Sequence, residues 1–326
     1  MYTEFFSILI ILLVASLGFL LLDLLVAGVL ALGFRFAFWP CFRWGLLSLL
    51  VTPLLLCYGV LIERNCYRVN RVEVVSESLP EAFDGYRLVQ ISDIHARSFR
   101  LRPSSLGRSV DKVNALGADL IVFTGDLVTI DSSELENTGA ALRRLHAPDG
   151  VLSILGNHDY GSYVDGRGGD ILDSLVLRAI KECEPALGWD LLLNEHRKIV
   201  RGSDTLAVIG VENISTSQAF PTTGDFAKAR SGAEGCWSIL LSHDPTHWER
   251  DIVGKEDIPL TLSGHTHSAQ FSLFGWTPSK LIYPHCRGLY KEQGQYLYVN
   301  IGLGETIFPA RIGAVPEITL ITLKKQ

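Results

Sequence analysis

The sequence predicts an α/β (α+β) fold in which a two-sheet β sandwich is flanked by helices and preceded by a two-helix transmembrane hairpin. Three observations predict it. Two long apolar runs occupy residues 1–63, the remainder alternates short apolar runs with helix-like segments, and many later runs are joined by short connections. Such alternation builds sheets covered by helices, and short connections favour a mixed sandwich.

The first element is a pair of apolar runs, at about 5–33 and 44–62. Each fits a membrane-crossing helix, which needs about 17–25 apolar residues. A cleaved signal peptide is the alternative, but it requires a basic start and an apolar stretch of only about 7–15 residues. The chain begins Met-Tyr-Thr-Glu, so we interpret both runs as transmembrane helices. Asp23 is the one charged residue in the first run, and it either faces the partner helix or carries a proton.

Residues 64–71 form the second element, a short basic connector beside the membrane. Its arginines, Arg64, Arg68 and Arg71, outnumber Arg35 and Arg43 in the loop between the two runs. The positive-inside rule therefore favours, by a small margin, a multi-pass protein whose C-terminal domain lies in the cytoplasm.

Composition excludes several classes of protein. The net charge is −6 and no Lys/Arg stripe occurs, so a nucleic-acid surface is not expected. The 6 cysteines are scattered without a C-x-x-C pair, which argues against a disulfide framework and a zinc-thiolate site. No protein partner is evident from the sequence.

Residues 72–326 form the third element, a single domain. Ser104–Leu116 places Leu106, Val110 and Val113 on one helical face, and Ser133 with Glu136 forms a capping-box pattern. The predicted strands are Val72–Val75, Arg87–Ile91, Leu120–Phe123, Val151–Leu155, Leu206–Val211, Ser238–Leu241, Pro259–Leu262, Tyr296–Ile301 and Ile318–Leu323.

Five of these strands end directly in a cluster of His, Asp or Asn. Ligands bind at the carboxyl ends of strands in open α/β sheets, where loops gather side chains from distant positions. We therefore expect the five clusters to meet. They are Asp93-Ile94-His95, Gly125-Asp126, Gly156-Asn157-His158-Asp159, His243-Asp244 and Gly264-His265-Thr266-His267.

The side chains of these clusters suit a pair of metal ions. Mixed nitrogen and oxygen ligands without thiolate fit Mn, Fe, Zn or a similar divalent ion. Two divalent ions outweigh two carboxylates, so the centre attracts an anion such as a phosphate group. The candidate ligands are Asp93, His95, Asp126, Asn157, His243, His265 and His267.

His158 is the candidate catalytic acid. It follows the proposed ligand Asn157, so it can lie beside the metals without binding them. We predict that it donates a proton to the leaving-group oxygen and that Asp159 holds its ring by a hydrogen bond.

In order and content, these blocks resemble those of the calcineurin-like metallophosphoesterases. Two later stretches, Asn300-Ile301-Gly302-Leu303-Gly304 and Pro316-Glu317-Ile318, are similar to the tail of a membrane-anchored bacterial branch of that family. The resemblance covers nearly all of residues 72–326 and implies a metallophosphoesterase-like fold. It also implies a division of the ligands: Asp93, His95 and His267 on one ion, Asn157, His243 and His265 on the other, and Asp126 between them. Thr129 stands where many members carry an acid, and Ser268-Ala269 replaces a common Gly-Gly pair.

The predicted function is hydrolysis of a phosphate ester or pyrophosphate through a metal-bridging hydroxide. A membrane tether favours a lipid-linked substrate, and related enzymes that cleave UDP-2,3-diacylglucosamine suggest one of that kind. Arg97 and Arg311 are candidates to contact the substrate phosphate, since a guanidinium matches its geometry. The alternatives are a general phosphomonoesterase or phosphodiesterase for soluble substrates, and a non-catalytic, membrane-anchored metal-binding or sensing protein.

Overall fold

The structure is a computed structural model that describes residues 2–161, 170–218, 220–306 and 308–326, with side chains from residue 9 onward except at 170–173. The helices are α1 (Tyr2–Phe34), α2 (Phe38–Gly45), α3 (Val51–Leu61), α4 (Pro103–Asn114), α5 (Gly139–Leu142), α6 (Asp170–Ala186) and α7 (Phe226–Arg230). The strands are β1 (Arg68–Ser76), β2 (Arg87–Ile91), β3 (Leu120–Phe123), β4 (Val151–Ser153), β5 (Asp190–Leu191), β6 (Glu195–Arg201), β7 (Asp204–Gly210), β8 (Trp237–Leu241), β9 (Leu260–Ser263), β10 (Gly288–Glu292), β11 (Gln295–Val299) and β12 (Glu317–Lys325).

The N-terminal region forms the two predicted apolar helices, one continuous and one interrupted. Leu9–Phe34 and Phe38–Asn65 are each long and apolar enough to cross a membrane. The second begins earlier than predicted, and a 3-10 turn at Leu46–Leu50 separates α2 from α3. Pro53 accounts for this turn, because its ring excludes the carbonyl of the residue four positions earlier from regular helical geometry.

Asp23 on α1 has a partner on the second apolar segment. Ser48 Oγ donates a hydrogen bond of 2.7 Å to its carboxylate. Gly45 permits the approach, because a Cβ there would lie 2.9 Å from Asp23 Cγ. The carboxyl group therefore faces the partner helix, one of the two arrangements expected from the sequence.

The remaining chain builds two six-stranded mixed sheets packed face to face. The strand orders are β1-β12-β2-β3-β4-β5 and β10-β11-β9-β8-β7-β6. Strands β2, β3 and β4 run parallel in the first sheet, and β7, β8, β9 and β11 run parallel in the second. The predicted fold class is confirmed, and the carboxyl ends of the central strands lie together at one edge of each sheet.

The side-chain alternation of the strands places apolar groups on both faces of each sheet. In β3, Leu120 and Val122 pack between the sheets, whereas Ile121 and Phe123 pack under the helices of the first sheet. The corresponding outer face of the second sheet is covered by a core that includes Trp248. Strands buried on both faces have continuous apolar sequences, which is why these were predicted correctly.

The strands missing from the prediction are β5, β6 and β10, which lie at sheet edges. Edge strands pair on one side only and tolerate charged side chains. Strand β6, Glu195–Arg201, is accordingly polar and lacks the apolar run by which other strands were predicted. Strand β1 begins at Arg68, inside the predicted connector. The predicted capping box was wrong: Asp131 caps the turn at Ser132–Leu135 by accepting a hydrogen bond from the Ser133 backbone N–H.

Candidate metal centre

Five loops carry the predicted ligands to the common edge of the two sheets. The backbone there is unusual, since five of the seven residues have positive φ. The left-handed region is costly for residues other than glycine and is maintained where the surrounding structure requires it. These residues are Asp93 (φ 47°), His95 (44°), Asp126 (61°), His265 (75°) and His267 (48°).

The first ligand group combines side chains from the loops after β2, β3 and β9. Asp93, His95, Asp126 and His267 each offer one ligand atom within 4.8 Å of the others. His95 Nε2 lies 3.0 Å from His267 Nε2 and 3.5 Å from Asp126 Oδ2. His267 Nε2 lies 3.3 Å from Asp93 Oδ1. All four side chains are buried.

The second ligand group shares Asp126 with the first. Asp126, His243 and His265 also converge within 4.8 Å, and His243 Nε2 lies 3.2 Å from Asp126 Oδ2. Asn157 Oδ1 joins them, 3.1 Å from His243 Nε2 and 2.8 Å from His265 Nδ1. One carboxylate thus lies between two groups of nitrogen and oxygen atoms.

The donor set fits two cations. Burial lowers the pKa of His95 and His267 well below the ordinary value and that of His265 to about 4, so these rings are neutral and present lone pairs. Neutral imidazole nitrogens and carboxylate oxygens at such separations suit divalent metal ions. The predicted cofactor class, two divalent ions of unspecified identity, is confirmed.

A hydrogen bond from outside the centre fixes His243. Its Nδ1 lies 2.7 Å from the carbonyl oxygen of Thr124. Because a carbonyl only accepts, Nδ1 carries the proton and Nε2 is directed at the ligand group.

Glycines allow the loops to approach one another closely. A Cβ at Gly264 would lie 2.3 Å from Asp93 Oδ2, and one at Gly156 would lie 2.2 Å from Asp126 Oδ1. Any side chain at either position would displace a predicted ligand.

Metal affinity is expected to rise with pH. Without metal, burial raises the pKa of Asp93 to about 7. Burial opposes protonation of His243, but the adjacent Asp126 carboxylate overrides it and raises the His243 pKa to about 10. Metal binding must displace these protons, so apparent Mn²⁺ affinity should increase about tenfold per pH unit for each proton released. A plot of the logarithm of affinity against pH should have a slope near one above pH 7, where His243 releases its proton. The slope should be steeper below pH 7, where Asp93 also holds a proton that metal binding displaces.

Titration calorimetry between pH 6 and 8, repeated in two buffers of different ionisation enthalpy, measures both affinity and proton release. An affinity independent of pH, with no proton released to buffer, would contradict this expectation.

His158 lies beside the first ligand group, but its orientation differs from the prediction. Its ring packs edge-on against His95, with 4.8 Å between centroids, and its backbone N–H donates to Asp126 Oδ1 at 2.8 Å. Its Nδ1 lies 2.9 Å from the carbonyl oxygen of Thr129, which holds the ring.

Asp159 has a different role from the predicted one. Its buried carboxylate accepts backbone N–H bonds of 2.9–3.2 Å that connect two ligand loops. The geometry therefore argues against a hydrogen bond from Asp159 to the His158 ring. Asp159 instead stabilises the loop that carries Asp126. The donors are Asp126, Leu127, Val128 and Gly156.

The two candidate substrate arginines are placed differently. Arg97 is half-buried, and its backbone N–H donates to Glu134, so its substrate contact remains a prediction. Arg311 is fully buried, and its guanidinium donates to the carbonyls of Gly304, Ala314 and Ile301. Its Nη2 lies 3.3 Å from His267 Nδ1. This geometry argues against substrate contact and instead makes Arg311 a support for His267.

Tyr283 was not identified from the sequence. Its hydroxyl lies 2.9 Å from His265 Nε2, the ring nitrogen opposite the one that faces Asn157. No motif marks this tyrosine, because the contact depends on how the chain returns after the last ligand cluster. Thr129 was noted only as a departure from the acid found in other proteins, yet its carbonyl orients His158.

Comparisons with known proteins agree with the geometry. A family model described as calcineurin-like phosphoesterase matches residues 86–269. The chain is 34% identical over 294 residues to a transmembrane protein with metallophosphoesterase domain from Danio rerio, which covers 87% of this chain and 63% of that protein. It is 31% identical over 277 residues to the uncharacterized metallophosphoesterase YkuE of Bacillus subtilis, covering 82% and 89%.

A third relative carries a substrate in its name. The UDP-2,3-diacylglucosamine pyrophosphatase LpxG of Chlamydia trachomatis is 29% identical over 296 residues, which cover 74% of this chain and 85% of that protein. Coverage differs among the relatives, and the matched region spans less than two thirds of the Danio rerio protein.

Proposed function

This chain belongs to the calcineurin-like phosphoesterases, and we propose that it hydrolyses a phosphate ester or pyrophosphate borne by a membrane lipid. It is a metal-dependent phosphoric ester hydrolase, as the sequence predicted. The observation that carries the proposal is the convergence of two ligand groups on Asp126 with His158 at their edge.

We propose that Asp93, His95 and His267 hold one ion, that Asn157, His243 and His265 hold the other, and that Asp126 binds both. Two divalent ions held by these residues would supply positive charge for the phosphoryl oxygens and Lewis acidity that makes water nucleophilic near neutral pH. The protein supplies a buried site and fixed ligand orientations, which strengthen electrostatic stabilisation of the transition state.

His158 is proposed to move the proton. Its Nδ1 lies 2.9 Å from the Thr129 carbonyl oxygen, so Nδ1 carries a proton, and we assign proton transfer at the site to Nε2. In its doubly protonated form, Nε2–H gives its proton to the leaving-group oxygen as the bond from phosphorus to that oxygen breaks. The hydrogen bond from the His158 backbone N–H to Asp126 fixes the position of this histidine relative to the ligands.

A lipid-borne substrate is supported by how the second apolar helix packs. A Cβ at Gly59 on α3 would lie 2.8 Å from the Arg311 carbonyl oxygen and 3.0 Å from Ile312 Cγ1. Arg311 in turn supports His267. The end of α3 therefore packs against Arg311, and Arg311 contacts the proposed metal ligand His267. The name of the Chlamydia relative provides a specific candidate, a UDP-2,3-diacylglucosamine-like pyrophosphate.

We further propose that both apolar helices span the membrane and that the metal centre lies on its cytoplasmic side. The lengths of the helices and the transmembrane name of a relative support membrane attachment. The arginines that follow α3 outnumber those between the two spans, which favours a cytoplasmic catalytic domain. Accessibility of Cys66, just after α3, to membrane-impermeant thiol reagents in intact cells tests the side.

The proposed substrate class is tested with the full chain in phospholipid nanodiscs containing Mn²⁺. UDP-2,3-diacylglucosamine is compared with UDP-glucosamine, which keeps a pyrophosphate but lacks acyl chains, and with bis-p-nitrophenyl phosphate. We expect kcat/KM for the acylated compound to exceed that for the headgroup by at least about tenfold, since remote binding energy contributes to transition-state stabilisation. Equal values for both would indicate a hydrolase for soluble substrates. If the native protein hydrolysed none of the three compounds faster than the Asp126→Asn variant does, the chain would be a non-catalytic metal-binding protein.

A further inference from the structure

The segment after the last ligand cluster, residues 271–283, presents large apolar side chains to the outside. Five of them form a surface that we call the apolar rim: Leu273 (53% exposed), Phe274 (100%), Trp276 (49%), Leu281 (78%) and Ile282 (74%). Such a concentration in a short loop is unusual for a surface that faces only water.

The outward orientation of the rim is fixed by polar residues that point inward. Thr277 Oγ1 donates to the Ser268 carbonyl at 2.6 Å, and Ser279 Oγ donates to the Thr266 carbonyl at 3.3 Å. Ser272 Oγ accepts from Arg287 Nη1 at 2.9 Å. All three hydroxyl residues are buried. The loop thus has polar residues inside and apolar residues outside, the reverse of the arrangement that water favours.

The rim is joined to the second apolar helix by direct contacts. The Ser272 backbone N–H donates to the Ile312 carbonyl at 2.8 Å, and Phe271 forms a β-bridge with the same residue. Ile312 and Ala310 pack against Gly59 of α3, where a Cβ would lie 3.0 Å and 3.3 Å from their side chains. The outward-facing loop is therefore built onto the end of a helix that is apolar enough to cross a membrane.

The same loop is built onto the metal centre. The carbonyl that Ser279 binds belongs to Thr266, which separates the proposed ligands His265 and His267. Tyr283 closes the segment with its hydroxyl 2.9 Å from His265 Nε2. Whatever covers the rim consequently lies next to the ligand loop.

We propose that the apolar rim inserts into the bilayer that holds the N-terminal helices, and so sets the metal centre at the lipid surface. Lipid is favoured over a second protein by the continuity with α3 and by the composition of the loop. Trp276 and the exposed Lys280 are residue types that lie at the boundary between acyl chains and anionic headgroups. The consequence for substrate, an amphiphile taken from the same leaflet, rests on the proposed hydrolysis. The insertion rests on the proposed membrane span of the helices but not on that hydrolysis.

Insertion is tested by tryptophan fluorescence of the metal-loaded full chain in nanodiscs whose phospholipids carry brominated acyl chains. Bromine quenches tryptophans that reach the acyl region. Most of the emission that is lost in the Trp276→Phe variant should therefore be emission that brominated lipid quenches in the native protein. Trp237→Phe is the matched control, because this tryptophan is buried in β8, and its loss should remove emission that bromine does not quench. Phe274→Trp, at a fully exposed position, should add emission that is quenched by more than half.

The proposal would be overturned if brominated and ordinary lipid gave equal emission both from Trp276 and from the tryptophan that Phe274→Trp introduces. If the Phe274→Ser/Trp276→Ser pair then also abolished dimers in mass photometry, the rim would instead be a contact between copies of this chain.

Activity in nanodiscs separates this proposal from the proposed function. The Phe274→Ser/Trp276→Ser pair should lower kcat/KM for an acylated pyrophosphate by about tenfold, the scale expected for losing large apolar contacts, while hydrolysis of bis-p-nitrophenyl phosphate stays unchanged. Val200→Ser, which removes an exposed apolar side chain on β6, should change neither rate. Quenching of Trp276 without hydrolysis of any ester would contradict the proposed function and support insertion. Hydrolysis of the acylated substrate without quenching of the rim tryptophans would support the proposed function and contradict insertion.

Discussion

Replacing Asp126 with asparagine is expected to lower the rate of phosphodiester hydrolysis by at least about 10³-fold, because losing a shared carboxylate removes several kcal/mol of metal-dependent stabilisation. The carboxylate takes part in both ligand groups, with Oδ2 3.5 Å from His95 Nε2 and 3.2 Å from His243 Nε2. Its Oδ1 also accepts the His158 backbone N–H. No other side chain in the described part of the chain belongs to both groups.

The measurement combines hydrolysis of bis-p-nitrophenyl phosphate with metal content on the same preparation. The asparagine variant should retain less than the two ions per chain expected of the native protein. Asp257→Asn is the matched control, because Asp257 is exposed and lies outside the site. If the Asp126 variant kept both ions and the native rate, the assignment of the shared carboxylate would be wrong.

Replacing His158 with alanine should lower kcat by about 10²–10⁴-fold for substrates with poor leaving groups, the range typical of general acid catalysis. The metal content should not change, because the side chain lies beside the first ligand group and is not among its members. A variant with intact metals and impaired turnover would separate proton transfer from metal binding.

The dependence on leaving group makes the role of His158 specific. An alkyl phosphodiester needs protonation of its leaving oxygen, whereas p-nitrophenolate departs without it, so the variant should lose much less activity on the aryl ester. His146→Ala, at an exposed position, is the control. An equal loss on both substrates would contradict proton donation and favour a role in binding or orientation.

The sequence was informative where burial and chain direction act together. Strands such as Leu120–Phe123 are buried on both faces and stand out as apolar runs, and parallel strands bring their carboxyl ends to one edge. That geometry is why polar clusters separated by long stretches of chain meet at Asp126. The family resemblance drawn from those clusters is confirmed by the family model and the relatives.

The sequence was uninformative where a contact depends on loop conformation. Asp159 follows His158 in the chain, yet its carboxylate turns to backbone N–H groups, and a carbonyl from Thr129 holds the histidine. Arg311 illustrates the same limit. Residue type suggested a phosphate contact, but full burial among backbone carbonyls directs its donors inward. Left-handed backbone at Asp93 and His267 likewise has no signature in residue type.

The most direct measurement of the central claim is anomalous X-ray scattering from crystals of the full chain loaded with Mn²⁺. We predict two peaks about 3.5–4 Å apart, the separation typical of paired catalytic ions, with Asp126 between them. One peak should lie among Asp93, His95 and His267, and the other among Asn157, His243 and His265. A single peak, or peaks away from Asp126, would contradict the two-metal hydrolase described here.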